Sequence, residues 1–185
     1  LLSSAASDVY KRQTKYIFSQ DHKMIAKQYL FTGVFFMGII GILMSALMRM
    51  QIAWPEEPNI FFDFLLGKWA PEGVMDADIY LALVTMHGTI MVFFVLTAGL
   101  SGTFSNLLIP LQLGARDMAS GFLNMIAFWL FFLSTVIMVA SIFVEAGPAA
   151  AGWTIYPPLS ALEMAQPGSG LGMTLWLVSM AFFIA

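Results

Sequence analysis

Charge disappears from the chain in three long stretches. Tyr29–Leu47, Ile79–Leu108 and Phe122–Val144 contain no Asp, Glu, Lys or Arg. Each is long enough for a membrane helix, which needs about 20 predominantly apolar residues. A fourth apolar run, Met173–Ala185, reads as the start of another helix. It is too short to cross a bilayer, so the chain is expected to be cut short there. Leu1–Gln13 shares no pattern with the rest of the chain and is expected to be a non-native leader outside the fold. The expected fold class is all-α: a polytopic transmembrane helix bundle over residues 14–185, with helices near 29–47, 79–108, 122–144 and 173–185.

The few charges set the expected orientation. Lys15, Lys23 and Lys27 precede the first helix, and Arg116 lies between the second and third. Lys and Arg concentrate on the cytoplasmic side of membrane proteins, so that end of the bundle is expected to face the cytoplasm. The outer segments Gln51–Asp78 and Glu145–Gly172 hold one basic residue, Lys68, with Arg49 at their edge. They carry Glu56, Glu57, Asp63, Glu72, Asp76, Asp78, Glu145 and Glu163, an acidic outer surface. Trp54 and Trp69 read as anchors at the headgroup level.

Composition agrees. The 185 residues are 59% hydrophobic and 10% charged, against about 25% charged in soluble domains. The net charge of −3 argues against nucleic-acid binding. Cysteine is absent, which removes disulfides and thiolate metal sites from consideration.

Polar groups inside hydrocarbon are costly, and each one needs a reason. His87 lies eight residues into the second stretch, about 12 Å along a helix, with no charged neighbour. A neutral imidazole has one free lone pair, so His87 is either a metal ligand or a helix-joining hydrogen-bond partner. Gly88 beside it removes a side chain where a planar group can approach the backbone. Asp117, Asn106 and Asn124 form a second set. A carboxylate at the cytoplasmic mouth followed by amides suits a water-filled proton path. Equally, Asp117 can cap the third helix, sharing its face with Asn124, while the amides join helices. Arg49 at the outer end of the first helix reads as a snorkelling side chain.

Several motifs then point to one family. Met86-His87-Gly88-Thr89-Ile90-Met91-Val92-Phe93-Phe94 resembles the haem-ligand helix of the catalytic subunit of haem-copper oxidases. Asn106 to Met118 resembles that family's next loop, and Val144–Gly147 with Gly152–Pro158 its next outer segment. Asp21-His22-Lys23 matches the short motif before its first helix. The resemblance covers Lys15–Ala185 and implies the N-terminal part of a twelve-helix subunit.

The resemblance implies roles. His87 matches an axial ligand of the low-spin haem, and Arg49 matches an arginine hydrogen-bonded to that haem, which replaces the snorkelling reading. Trp153 matches a tryptophan near the propionates of the oxygen-binding haem. Asp117 matches the entrance of a proton channel, Asn106 and Asn124 the amides above it, and Tyr29 a tyrosine nearby. His22 is expected to be structural. The second haem and the copper would be held by residues outside this chain. The implied reaction is proton-pumping reduction of dioxygen to water in a bacterial cell membrane, with subunits II and III as partners.

Cytochrome c is the expected electron donor. Positions that carry quinone-binding polar groups in the best-known quinol enzymes are Gly41, Ser45, Ile79 and Ala82 here. The acidic outer loops suit a basic cytochrome. Gln51 stands where many members place a cation-binding carboxylate, and Ala127 replaces a channel serine. A quinol oxidase subunit, a proton-coupled transporter using His87 and Asp117, and a cofactor-free bundle are the alternatives.

Overall fold

Helices of more than one turn make up the fold. A computed structural model of the protein describes residues 2–55, 57–145, 147–162, 164 and 170–185. Leu1, Glu56 and Glu163 lie outside them. The helices are α1 (Leu2–Arg12), α2 (His22–Ala53), α3 (Ile60–Leu66), α4 (Ala77–Leu113), α5 (Gly121–Ile142) and α6 (Leu171–Ile184). No strand occurs among the described residues. α2, α4 and α5 are long and apolar enough to span a membrane. Residues 7–18, covering the end of α1 and the turn after it, are all exposed.

Two of the helices run well past the charge-free stretches, for identifiable reasons. α2 starts at His22 because the Asp21 carboxylate accepts a hydrogen bond from the Lys23 N–H at 3.2 Å, an N-cap. α4 runs through Pro110 and stops at Gly114, whose φ of 67° favours glycine. The Ala115 N–H then satisfies the Pro110 carbonyl at 2.9 Å. α5 is capped by Ser120, whose hydroxyl accepts from the Leu123 N–H at 3.4 Å. Asp117 is therefore outside α5, neither its cap nor on its face.

The chain crosses back and forth between two ends. At one, His22 meets Asp117 of the α4–α5 loop. At the other, the Gln51 side chain accepts from the Met75 N–H at 3.0 Å and donates to the Pro55 carbonyl at 3.1 Å. α6 lies along α5, joined by a reciprocal pair. The Ser134 hydroxyl donates to the Ser179 carbonyl at 2.8 Å, and the Ser179 hydroxyl to the Ser134 carbonyl at 2.7 Å. In hydrocarbon these hydroxyls have no water to turn to, so the pair fixes the register of the two helices.

The tightest contact is between α2 and α4. A Cβ on Gly33 would lie 2.5 Å from the Gly99 Cα, and one on Gly99 would lie 3.1 Å from the Gly33 Cα. Backbone meets backbone here, as small residues allow in membrane helices. Both helices widen to π-type turns at this crossing, over Leu30–Met37 and Ile90–Leu100. A side chain at either position has only backbone to displace. Gly33→Leu and Gly99→Val are each expected to destabilise the subunit by about 1–3 kcal/mol or more. Thermal unfolding of the detergent-solubilised full-length protein measures this, and wild-type stability in both variants would contradict the account.

Candidate functional site

His87 sits where α4 faces α2. Its Nδ1 lies 2.8 Å from the Gly41 carbonyl oxygen. A carbonyl can only accept, so Nδ1 carries a proton, and in the neutral tautomer that this bond selects the lone pair is at Nε2. A backbone carbonyl that fixes the tautomer in this way is the usual support of a metal-binding histidine. The helix is held from its other faces by threonines on either side in sequence. The Thr85 hydroxyl accepts from the Gly152 N–H at 2.9 Å, and that of Thr89 from the Trp176 indole N–H at 3.0 Å. Each also donates to the carbonyl four residues earlier. α4 is thus pinned between the outer segment, α6 and α2, which sets the aim of the half-buried His87 ring.

Gly88 faces the Trp153 indole. A Cβ there would stand 3.5 Å from Trp153 Cδ1, ordinary contact, so the packing of this chain alone does not require glycine. Trp153 is half-exposed and sits edge-on to Phe93, with ring centroids 5.9 Å apart. A cavity of about 440 Å³ opens beside it, lined by Phe93, Trp153, Trp176, Met180 and Phe183 among others. Arg49 is exposed, and its guanidinium has no hydrogen bond or ion pair among the described residues.

At the opposite end, Tyr29, Asn106 and Asn124 come together. The Asn124 amide donates to the Asn106 carbonyl oxygen, and the Asn106 amide donates to the Gly102 carbonyl at 2.7 Å. Gly102 lies flat against the buried Tyr29 ring, 2.7 Å from where its Cβ would stand. Tyr29 in turn packs between Phe128 and Phe131 of α5. A cavity of about 280 Å³ adjoins Tyr29, and Ala127 is part of its wall.

Asp117 is bound to His22 instead. One carboxylate oxygen accepts from the His22 ring at 3.0 Å, from the His22 N–H at 3.3 Å and from the Met118 N–H at 2.8 Å. His22 is 2% exposed while Asp117 is open to solvent, and the His22 Nε2 has no partner among the described residues. Partial burial pushes the Asp117 carboxyl up. The bonds from Met118 and from the ring and N–H of His22, with the attraction of a charged His22, outweigh it and hold the group below its ordinary value of 3.8. His22 is thus part of the Asp117 site. No sequence spacing announces it, because the two residues are 95 positions apart.

The carboxylate is stabilised in its charged form, so the tether is fully present above pH 3.8 and is lost as the pH falls through the lowered value. Asp117→Ala is expected to speed amide exchange at His22 and Met24 at neutral pH while residues 82–86 stay protected. Equal protection in variant and wild type would show that the tether carries nothing.

Comparison with known proteins places this geometry in a family. The family described as "Cytochrome C and Quinol oxidase polypeptide I" matches residues 24–185. The "Alternative cytochrome c oxidase subunit 1" of Bradyrhizobium diazoefficiens is 42% identical over 171 residues, which is 92% of this chain and 26% of that protein. The "Heme-copper oxidase subunit I+III" of Aeropyrum pernix is 37% identical over 170 residues, 92% of this chain and 18% of its own length. "Cytochrome c oxidase subunit 1" of Thermostichus vulcanus is 42% identical over 147 residues, 80% of this chain and 23% of its own length. The chain therefore spans about a quarter or less of these relatives. With a membrane helix bundle, a tautomer-fixed intramembrane histidine and a family match over nearly its whole length, the chain belongs to the haem-copper oxidase subunit I family.

Proposed function

We propose that the chain supplies one axial ligand of the low-spin haem and the mouth of a proton channel in a proton-pumping oxidase that reduces dioxygen to water. The observation that carries the first half is the His87 Nδ1–H bond to the Gly41 carbonyl, which leaves Nε2 as the ligand atom. The donor chemistry fits, since a neutral imidazole nitrogen with its proton held by a carbonyl is a good axial ligand for haem iron. When bound, the haem supplies one-electron transfer. Arg49 at the outer end of α2 would hydrogen-bond that haem. Gly88 would lie close beside it, and Trp153 would stand near the propionates of the oxygen-binding haem. The copper and second-haem ligands would come from elsewhere in the subunit.

The second half rests on the cluster at the other end. Asp117 is kept ionised at the surface, where it attracts protons from the bulk. Asn106 and Asn124 are linked by a hydrogen bond and adjoin Tyr29, and the cavity past Ala127 has room for water. Lys15 before α2, Lys23 and Lys27 in its first turns, and Arg116 beside Asp117 favour placing this end in the cytoplasm of a bacterial cell.

Cytochrome c is the preferred electron donor over a quinol. Ile79 and Ala82 are buried apolar residues, the Gly41 carbonyl is engaged by His87, and Ser45 offers one half-buried hydroxyl in place of a charged group. None offers a quinone ring a charged partner. The acidic outer loops favour a basic partner docking near subunit II, with subunit III as a further neighbour.

Three variants of the full-length oxidase test these roles. His87→Ala is expected to abolish the optical signal of the low-spin haem, and an unchanged reduced spectrum would refute the ligand role. Asp117→Asn is expected to slow turnover by roughly one to two orders of magnitude and stop pumping while both haems stay bound. Normal proton stoichiometry would refute the channel role. Arg49→Met is expected to shift the visible band of the low-spin haem, and an unmoved band would return Arg49 to the role of a surface anchor.

A further inference from the structure

One apolar cavity belongs to neither the haem side nor the proton entrance. It lies between α2, α4 and α5 near their outer ends, holds about 260 Å³, and is roofed by the segment after α3. Leu43, Leu47, Leu83 and Val139 form its walls, Trp69 its roof, and exposed Phe143 its rim. An apolar cavity of this size stays free of water and takes an apolar guest.

Depth and charge identify the guest. Leu83 lies six residues into α4, and Leu43 lies ten residues before the end of α2, so the walls reach about 9–15 Å below the outer helix ends. One leaflet of a bilayer has about 15 Å of hydrocarbon. At the top stands Lys68, the one basic residue of the two outer segments. Its ammonium donates to the Glu145 carbonyl at 2.9 Å and lies 5.8 Å from the Trp69 ring centroid. It is thereby held between the roof, at Trp69, and the rim, where Phe143 and Pro148 flank Glu145 in sequence. An apolar slot of leaflet depth beneath a fixed cation, the one cation of otherwise acidic outer segments, matches a phospholipid: chain below, phosphate above. A quinone fits poorly, since the walls offer its ring no polar side chain.

We propose that this groove holds one acyl chain of an outer-leaflet phospholipid whose phosphate is seated at Lys68. The site stands apart from the haem and proton-channel readings. Lys68 keeps two of its three N–H donors for the phosphate. The chain seals the contact between α2 and α5, which is filled here by no side chain.

The test uses the full-length oxidase, washed in detergent and examined by native mass spectrometry for retained phospholipid. Wild type is expected to keep one molecule. Leu83→Trp, which fills the groove, is expected to lose it, and Val139→Phe repeats the test should the first variant fold poorly. Lys68→Gln is expected to weaken retention about fivefold, the share of one surface cation. In phosphatidylcholine vesicles doped with brominated phosphatidylglycerol, Trp69 fluorescence is expected to be quenched, a component absent from Trp69→Phe. Equal retention in wild type and both filling variants would overturn the proposal. So would finding a quinone, or a protein segment cross-linked to Leu43→Cys, in the groove instead.

Discussion

The crossing of α2 and α4 at Gly33 and Gly99 governs the arrangement of the chemistry. With no side chain on either glycine, the two backbones touch, and two antiparallel helices in that contact have one register. Eight residues along α2 from Gly33 is Gly41, and its carbonyl is the one that meets His87. Gly41 is itself packed against Met91 and Ile90, one turn from the histidine. A side chain at Gly33 or Gly99 would separate the helices and leave the Nδ1 proton of His87 without its acceptor. In a membrane no water replaces it, so the tautomer that exposes Nε2 would no longer be favoured.

The same constraint explains how the other intramembrane polar groups are spent. Thr85, Thr89, Thr103 and Thr135 each donate to the carbonyl one turn earlier. That leaves their oxygens as acceptors, and two of them are used between elements: Thr85 by Gly152 and Thr89 by Trp176. The membrane helices are therefore joined by a few directional bonds at defined depths, among otherwise interchangeable apolar contacts. The histidine end and the carboxylate end are built differently. The first is internal and tautomer-fixed. The second, His22 with Asp117, is open to solvent on one side and responds to pH.

Much of this was legible from charge-free length and from motifs. The three spans and the apolar last helix lie where hydropathy puts them, and the motif around His87 pointed to the family that the comparisons bear out. The helix ends were less legible. Lys23 and Lys27 stopped the charge-free count at Tyr29, yet the helix begins at His22, because an Asp21 cap outweighs lysines that reach water from its first turns. Pro110 did not end α4 either; the left-handed Gly114 did. Asp117 read as a possible helix cap because it precedes α5 by four residues, while its true partner, His22, is set by the packing of α2 against the α4–α5 loop. Likewise, Gly102 gave no sign in sequence that it makes room for Tyr29. Contacts between distant segments depend on helix register, which hydropathy does not encode.

The central proposal is that Nε2 of His87 would hold the low-spin haem iron. It is tested most directly by the nitrogen hyperfine spectrum of the low-spin ferric haem in full-length oxidase grown with isotopically labelled histidine, compared between wild type and His87→Met. The account predicts one coordinated histidine nitrogen fewer in the variant. An identical histidine coupling pattern in both proteins would contradict it.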